Sequence, residues 1–198
     1  AAQTLEAGTI GAAITVTENG SPVEREWFYS TTSGGPYVPF TTPETGLSFT
    51  PNFAAAGMYY VICSTIWPPF LQLYSNEVAI EVADNAISPS TTQTIWEEAE
   101  GTLMTLTETP VGTSREWKFA TVSGGPYSSF APTVVNSTYT PYFVDPGTYY
   151  VIAQSVYNGV TITSPEVTII VDLATGIEGA QEVSSILWDG RELSIDLT

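Results

Sequence analysis

The stretch that decides the fold is Gly147-Thr148-Tyr149-Tyr150-Val151-Ile152, which repeats Gly57-Met58-Tyr59-Tyr60-Val61-Ile62 at a spacing of 90 residues (147 − 57). Two further motifs recur at the same spacing: Arg25-Glu26-Trp27 as Arg115-Glu116-Trp117, and Gly34-Gly35-Pro36-Tyr37 as Gly124-Gly125-Pro126-Tyr127. A period this long, filled with short segments, predicts two tandem domains. Features shared by both copies are expected to serve the fold, and features of one copy are candidates for function.

The segments around these motifs alternate in the way that β-strands do. Ile14 and Val16 alternate with threonines, and Met104 and Leu106 do the same in the second copy. Such a period of two places one face of a strand in the core and the other in water. No helical period is evident, so the sequence predicts an all-β chain of about seven short strands per copy.

Composition limits the kinds of function that the chain can have. It has 198 residues, 21 acidic against 4 basic side chains, a net charge of −17, no His and one Cys. Nucleic acid and anionic lipid need basic residues, so neither is an expected partner. A single Cys permits no internal disulfide, and a buried apolar role is expected for Cys63. No apolar run is long enough to span a membrane, and no cofactor is expected.

The decisive stretch also resembles a known fold. Asp145-Pro146-Gly147-Thr148-Tyr149 resembles the tyrosine corner of immunoglobulin-like β-sandwiches, in which the Tyr hydroxyl bonds back to the backbone near the strand entry. Copy one retains Gly57 and Tyr59. The resemblance implies a structural core built on four aromatic residues: Trp27, Tyr59, Trp117 and Tyr149.

A longer resemblance covers residues 4 to 172. The motifs Ser-Gly-Gly-Pro-Tyr, Gly-x-Tyr-Tyr-Val and Ser75-Asn76-Glu77-Val78 resemble bacterial immunoglobulin-like repeats of secreted Bacteroidota surface proteins. The tail, with Thr175-Gly176-Ile177-Glu178 and the segment 187–197, resembles the start of a type IX secretion sorting domain. These resemblances imply export, display at the cell surface or release, and roles in adhesion, gliding or as stalks beside enzymes. They bring no catalytic residues.

The predicted organisation has four parts. Residues 1–84 form the first immunoglobulin-like domain, 85–92 a short, polar, semi-stiff linker, 93–172 the second domain, and 173–198 a C-terminal β-hairpin segment. The opening Ala1-Ala2-Gln3 is compatible with a mature end left by signal-peptide removal or with a cloning boundary.

Catalysis has little support in the sequence. Nucleophiles lack a His, and Lys118 is replaced by Phe28 in the first copy. Glu97, Glu98 and Glu100 form an acidic cluster found only in copy two, which is interpreted as a solvated face rather than a catalytic pair. With Asp84 these residues could form a calcium site, but no calcium-binding loop motif is present.

Two segments are candidate contacts. The first is the hairpin tip Trp67-Pro68-Pro69-Phe70-Leu71, where copy two has Tyr157-Asn158-Gly159, interpreted as a plain turn that only reverses the chain. Either the tip is an exposed interaction surface or its rings fold back on the neighbouring domain. The second is the tail hairpin with Trp188, Leu193, Ile195 and Leu197. It packs on domain two, starts an incomplete domain, or adds to a sheet edge of another subunit.

The sequence therefore predicts a non-enzymatic, secreted or bacterial cell-surface protein with a structural or adhesive role. Self-assembly into a fibre by β-strand addition is the favoured form, with other copies or another cell-surface protein as partners. The alternative is a module that binds carbohydrate or a receptor through exposed aromatic rings, or a stalk accessory to an enzyme.

Overall fold

A computed structural model describes residues 2–174, 183–188 and 193–197, and all regular structure in these ranges is β-strand. No helix in this part of the chain is long and apolar enough to cross a membrane. The strands of the first sequence copy are β1 (Gln3–Glu6), β2 (Ile14–Thr15), β3 (Glu24–Ser30), β4 (Val38–Pro39), β5 (Ser48–Phe49), β6 (Gly57–Trp67), β7 (Leu71–Tyr74) and β8 (Val78–Ser88). Those that follow are β9 (Gln93–Trp96), β10 (Met104–Thr109), β11 (Ser114–Ala120), β12 (Ser128–Val134), β13 (Thr138–Tyr139), β14 (Gly147–Tyr157), β15 (Val160–Thr163), β16 (Val167–Asp172), β17 (Val183–Trp188) and β18 (Leu193–Leu197).

The first copy folds into an immunoglobulin-like sandwich. One sheet has the order β4-β3-β6-β8-β1, with β7 paired to the end of β6, and the facing sheet has only β2 and β5. The core between them contains Trp27, Val61 and Ile80, each at most 1% exposed. The Trp27 indole N–H donates to the Gly46 carbonyl at 2.9 Å, so the buried ring leaves no polar atom unpaired.

The second copy repeats this architecture with one more strand in its smaller sheet. Its large sheet has the order β12-β11-β14-β16-β9, and β15 pairs with β14. The facing sheet has the order β13-β10-β8, because the last residues of β8 pair with β10. Trp117 is fully buried in this core, and its N–H donates to the Asn136 carbonyl at 2.8 Å.

Both copies have the tyrosine corner that the sequence indicates. The Tyr59 hydroxyl donates to the Ala55 carbonyl at 2.9 Å, and the Tyr149 hydroxyl donates to the Asp145 carbonyl at 3.0 Å. Each ring stacks on a phenylalanine, Phe53 or Phe143, with centroids 3.9 Å apart. The acceptor is a main-chain carbonyl, so copy one can have Ala55 where copy two has Asp145.

The Ser-Gly-Gly-Pro-Tyr motif forms a loop that closes on a carboxylate. In copy one, Glu77 accepts hydrogen bonds from the Ser33 hydroxyl at 2.8 Å, the Gly34 N–H at 2.9 Å and the Tyr37 hydroxyl. Glu166 accepts the same three bonds in copy two, from Ser123, Gly124 and Tyr127. The recurrence of the motif therefore reflects the anchoring of this loop to the strand that ends each copy.

The segment predicted as a linker differs from that prediction. Strand β8 runs without a break from Val78 to Ser88; it pairs with β6 and β1 through Ala83, and with β10 from Asp84 onward. Residues 85–88 are thus strand, and only 89–92 connect it to β9. The reason is that the alternate residues Asn85 and Ile87 face inward and are buried, although the segment as a whole is polar.

The tail forms its own two-stranded sheet. Strands β17 and β18 pair antiparallel, with Ile186 opposite Ile195 and Trp188 opposite Leu193. The side chains of the predicted contact residues Trp188, Leu193, Ile195 and Leu197, and the connecting residues 189–192, lie outside the described part of the structure.

Candidate interaction surface

The two sandwiches meet at a buried polar residue in the shared strand. Asn85 is 1% exposed. Its Nδ2 donates to the Ile162 carbonyl at 3.0 Å, and its Oδ1 accepts from the Tyr157 hydroxyl at 2.6 Å. Both partners lie on the β14–β15 hairpin of the second sandwich. A buried amide with satisfied bonds fixes one geometry, because any displacement leaves polar groups unpaired.

Apolar packing and a second amide extend this contact, which we call the junction. Ala83, Tyr157 and Ile162 form a separate buried cluster between the two main cores. At its rim, Asn158 Nδ2 donates to Glu81 Oε2 at 2.6 Å and to Thr4 Oγ1 at 3.3 Å. The turn Tyr157-Asn158-Gly159 therefore also contacts the first sandwich, which the sequence analysis did not predict. The available signal was Tyr157, which stands at the position of Trp67 and replaces its ring with a hydroxyl-bearing one.

The aromatic tip, residues Trp67 to Leu71, divides into a half-buried and an exposed part. The Trp67 ring lies over Gly20, where an added Cβ would be 3.0 Å from it, and its N–H donates to Thr65 Oγ1 at 3.0 Å. Phe70, by contrast, is 92% exposed, and Pro68, Pro69 and Leu71 are exposed beside it. Neither ring folds back on the neighbouring domain: Trp67 packs against Gly20 of its own sandwich, and Phe70 is exposed. Whether the tip is an interaction surface stays a prediction.

An open groove of about 980 Å³ lies beside the tip in the first sandwich. One wall is the chain from Ile14 to Asn19, and the other is β7 with Trp67. The floor includes Trp27, Cys63 and Thr65. Along the β7 wall, Leu71, Leu73 and Tyr74 are all exposed, so apolar surface lines one side of the groove.

The basic side chains of the described residues are neutralised by neighbouring carboxylates. Arg25 bonds Glu18 at 2.6 Å, Arg115 bonds Glu108, and Lys118 lies 3.4 Å from Glu116. The hydrogen bond from Arg25 lowers the pKa of Glu18. Burial raises the pKa of Glu108, but hydrogen bonds from Arg115 and Ser155 outweigh it and leave that pKa lowered. The remaining described carboxylates make the surface strongly acidic.

The residues considered for chemistry are not brought together. Glu98 and Glu100 are exposed, as is Asp84, which lies in β8. No group of three or more His, Cys, Asp or Glu side chains suited to a metal ion occurs among the described residues. Cys63 is fully buried, and burial raises the pKa of its thiol to about 11, which disfavours the nucleophilic thiolate.

Comparisons with known proteins give structural neighbours alone: no family model matches the chain, and no curated protein matches it. Among solved structures, the Clostridium thermocellum CbhA fibronectin(III)-like modules are 14% identical with a TM-score of 0.32, over 88% of this chain and 91% of that one. Sidekick-1 immunoglobulin domains 1-4 are 18% identical with a TM-score of 0.37; the match covers 91% of this chain and spans 47% of theirs. The chicken CNTN1 FN1-FN3 domains are 11% identical with a TM-score of 0.32, over 86% and 68%. At these levels the likeness bears on neither activity nor partners.

Proposed function

We propose that this chain is a non-enzymatic structural or adhesive module of a secreted bacterial surface protein. In this proposal it is a fibre subunit, which joins further copies or another cell-surface protein by β-strand addition. The observation that carries the proposal is the junction: strand β8 belongs to both sandwiches, and Asn85 fixes their contact. Proteins that transmit position or load need such a stiff connection between modules, whereas independent binding modules do not.

The surface of the molecule supports the same conclusion. Its acidic charge favours solubility and keeps copies apart until a specific contact forms. The aromatic tip and the tail hairpin are the two segments that can supply such a contact. A lone two-stranded sheet is marginally stable in water, so β17 and β18 gain from pairing with another sheet edge. The expectation of export to the surface rests on the resemblance of the repeats and the tail to secreted bacterial proteins.

The test is negative-stain electron microscopy of the purified chain together with light scattering after size-exclusion chromatography. Fibres or a regular oligomer are expected, and deletion of residues 183–198 or the substitution Phe70→Ser should reduce them. Val111→Ser is the matched control, because Val111 is also strongly exposed, at 73%, but lies on the second sandwich. A stable monomer at all concentrations would refute the fibre function.

A second function is favoured by one observation. Phe70 and Tyr74 are exposed side chains on the β6–β7 hairpin, at 92% and 61%. Exposed aromatic rings with an apolar face bind the faces of sugar rings in the same way that they pack on other apolar surfaces. Glycan-array binding that is lost in Phe70→Ala and Tyr74→Ala, in a chain that stays monomeric, would establish a carbohydrate-binding module instead.

A further inference from the structure

The smaller sheets of the two sandwiches differ by one strand. In the second sandwich, residues Asp84–Ser88 of β8 pair with β10 along five positions, from Thr109 to Thr105. In the first sandwich, the equivalent strand β2 pairs with β5 alone. This explains why β10 has six residues and β2 only two: the chain from Val16 to Asn19 has no partner among the described residues that would extend the ladder.

The open groove lies at the position that Asp84–Ser88 occupies in the second sandwich. Thr15 to Asn19, which correspond to the five residues that pair with β8, all line it. The backbone of this wall is oriented for pairing. The Val16 N–H donates to the Leu47 carbonyl on the β5 side, as the Leu106 N–H donates to the Ser137 carbonyl on the β13 side. By alternation, the N–H of Thr17 faces the groove.

The side chains around the groove correspond to those around Asp84–Ser88 in the second sandwich, but in the groove no strand covers them. Ile162 pairs with Ser155, and Leu73 pairs with Thr65 at the equivalent place in the first sandwich. Ile162 is 1% exposed, whereas Leu73 is 47% exposed. Two other pairs of equivalent residues show a smaller difference in exposure. Tyr157 and Leu106 are buried, whereas their counterparts Trp67 and Val16 are half-exposed.

We propose that this groove is an acceptor site for one extended β-strand, namely the exit strand of another immunoglobulin-like repeat. By exit strand we mean the end of a repeat's last strand that continues beyond its own sandwich, as Asp84–Ser88 does in β8. The occupant has the chemistry of Ala83–Ser88: a small residue, an amide and a branched aliphatic residue at the three inward positions, with the exposed residues Asp84 and Ala86 between them. Its backbone pairs with Thr15 to Asn19 in antiparallel register. Its amide meets the Leu73 carbonyl, which stands where the Ile162 carbonyl receives Asn85.

The start of β1 is anchored in the same way as the start of β9, and this indicates which segment could reach the groove. In the second sandwich, Ser88 precedes Gln93 by five residues, and Gln93 anchors the entry through hydrogen bonds with Thr102. Gln3 makes the same pair of bonds with Ala12. A strand joined to Gln3 by a connection of that length therefore arrives at the groove in the register that β8 has on β10. This inference is independent of fibre formation, since the groove can accept a strand in a monomer.

The first test places the strand in the full-length chain. In this variant, residues 83–92 are copied in front of Gln3 in place of Ala1 and Ala2. We expect the melting temperature of the first sandwich to rise by about 4–8 °C, as a domain of this size does for a modest gain in stability. A matched extension whose second copy of Ile87 is replaced by Asp should give no rise, because the charge would enter an apolar site.

The second test uses the same strand as a separate peptide. Isothermal titration calorimetry of the unmodified chain with a synthetic peptide of residues 82–91 should show saturable one-to-one binding. We expect Leu73→Glu to weaken it at least about tenfold, since the substitution places a charge on the apolar wall. Leu103→Glu, at a similarly exposed leucine of the second sandwich, should leave it unchanged.

The outcomes separate this proposal from the alternatives. A gain in stability from the fused strand, lost in its Asp variant, establishes the acceptor site even where fibres are absent. No gain from the fused strand and no binding of the peptide overturn the proposal. Concentration-dependent dimers of the unmodified chain that Leu73→Glu dissociates, but that an excess of the 82–91 peptide leaves intact, also overturn it, since a surface other than such a strand would then cover the groove.

Discussion

Asn85 is the residue on which the connection between the sandwiches depends most. Replacing it by Ala would remove both of its hydrogen bonds and leave the Tyr157 hydroxyl and the Ile162 carbonyl without their partner. We expect a loss of roughly 2–3 kcal/mol from the free energy of unfolding, because buried unsatisfied groups bear their full desolvation cost. Urea denaturation measures it, with Asn52→Ala, at an exposed position, as the control. Equal stability of the two variants would contradict the role assigned to Asn85.

The carboxylates of Glu77 and Glu166, which anchor the two Ser-Gly-Gly-Pro-Tyr loops, make the stability of the chain depend on pH in the acid range. The Gly34 N–H and the Tyr37 hydroxyl lower the pKa of Glu77, and the Tyr127 hydroxyl lowers that of Glu166. A pKa lowered by folding contributes stability that is present above the ordinary value of 4.5 and is lost as the pH falls through the folded value.

We therefore expect the melting temperature to be level between about pH 7 and pH 5 and to fall below that. The double variant Glu77→Gln/Glu166→Gln should start lower at pH 7 and fall less steeply in acid. Differential scanning calorimetry across this range is the measurement. Parallel pH profiles for the variant and the parent chain would show that these loops are not the acid-sensitive part.

At the scale of elements, β2 and β10 are equivalent strands of the two copies that have different neighbours: β2 pairs with β5 alone, and β10 also pairs with β8. The N–H of Thr107 faces β8, while the N–H of Thr17 faces the open groove. Proline removes an N–H, so Thr107→Pro should cost about 1–3 kcal/mol and Thr17→Pro much less. Chemical denaturation of both variants is the test. Equal costs would mean that the N–H of Thr17 already has a partner.

How far the elements could be predicted depends on whether their signal is local. The tyrosine corners, the buried Trp27 and Trp117 and the paired loops follow from motifs that occur twice, so each copy supports the other. Strand β8 could not be predicted over its full length. Ala86 and Ile87 are the apolar residues of its second half, Asp84–Ser88, which is otherwise polar. The burial of Asn85 depends on a hairpin more than 70 residues away in the chain.

At the scale of the whole molecule, charge opposes association. With a net charge of −17 and the described basic residues paired, copies repel one another at low ionic strength. If assembly proceeds by strand addition and apolar contact, raising the salt concentration from about 20 to 300 mM should increase it. Light scattering at fixed protein concentration measures this. Assembly that weakens with salt would point to ion pairs as the contact instead.

The groove shows what the sequence of this molecule could not reveal. The repeat aligns Thr15–Asn19 with Thr105–Thr109 of the filled site, but nothing local shows that one strand is covered and the other open. The tip is evident from the difference between the copies, and the structure adds that Trp67 and Leu73 belong to the groove wall. Comparison of the copies identifies where they differ, and only the fold shows what the difference leaves uncovered.

The proposed structural role depends on the two sandwiches behaving as one stiff unit. The most direct measurement is the distance distribution between spin labels at Thr42→Cys and Thr133→Cys, both exposed positions, in a Cys63→Ala background that copies Ala153. We predict a single narrow distribution that broadens when Asn85→Ala is added. A broad distribution in the parent chain, unchanged by Asn85→Ala, would contradict the junction and with it the structural role.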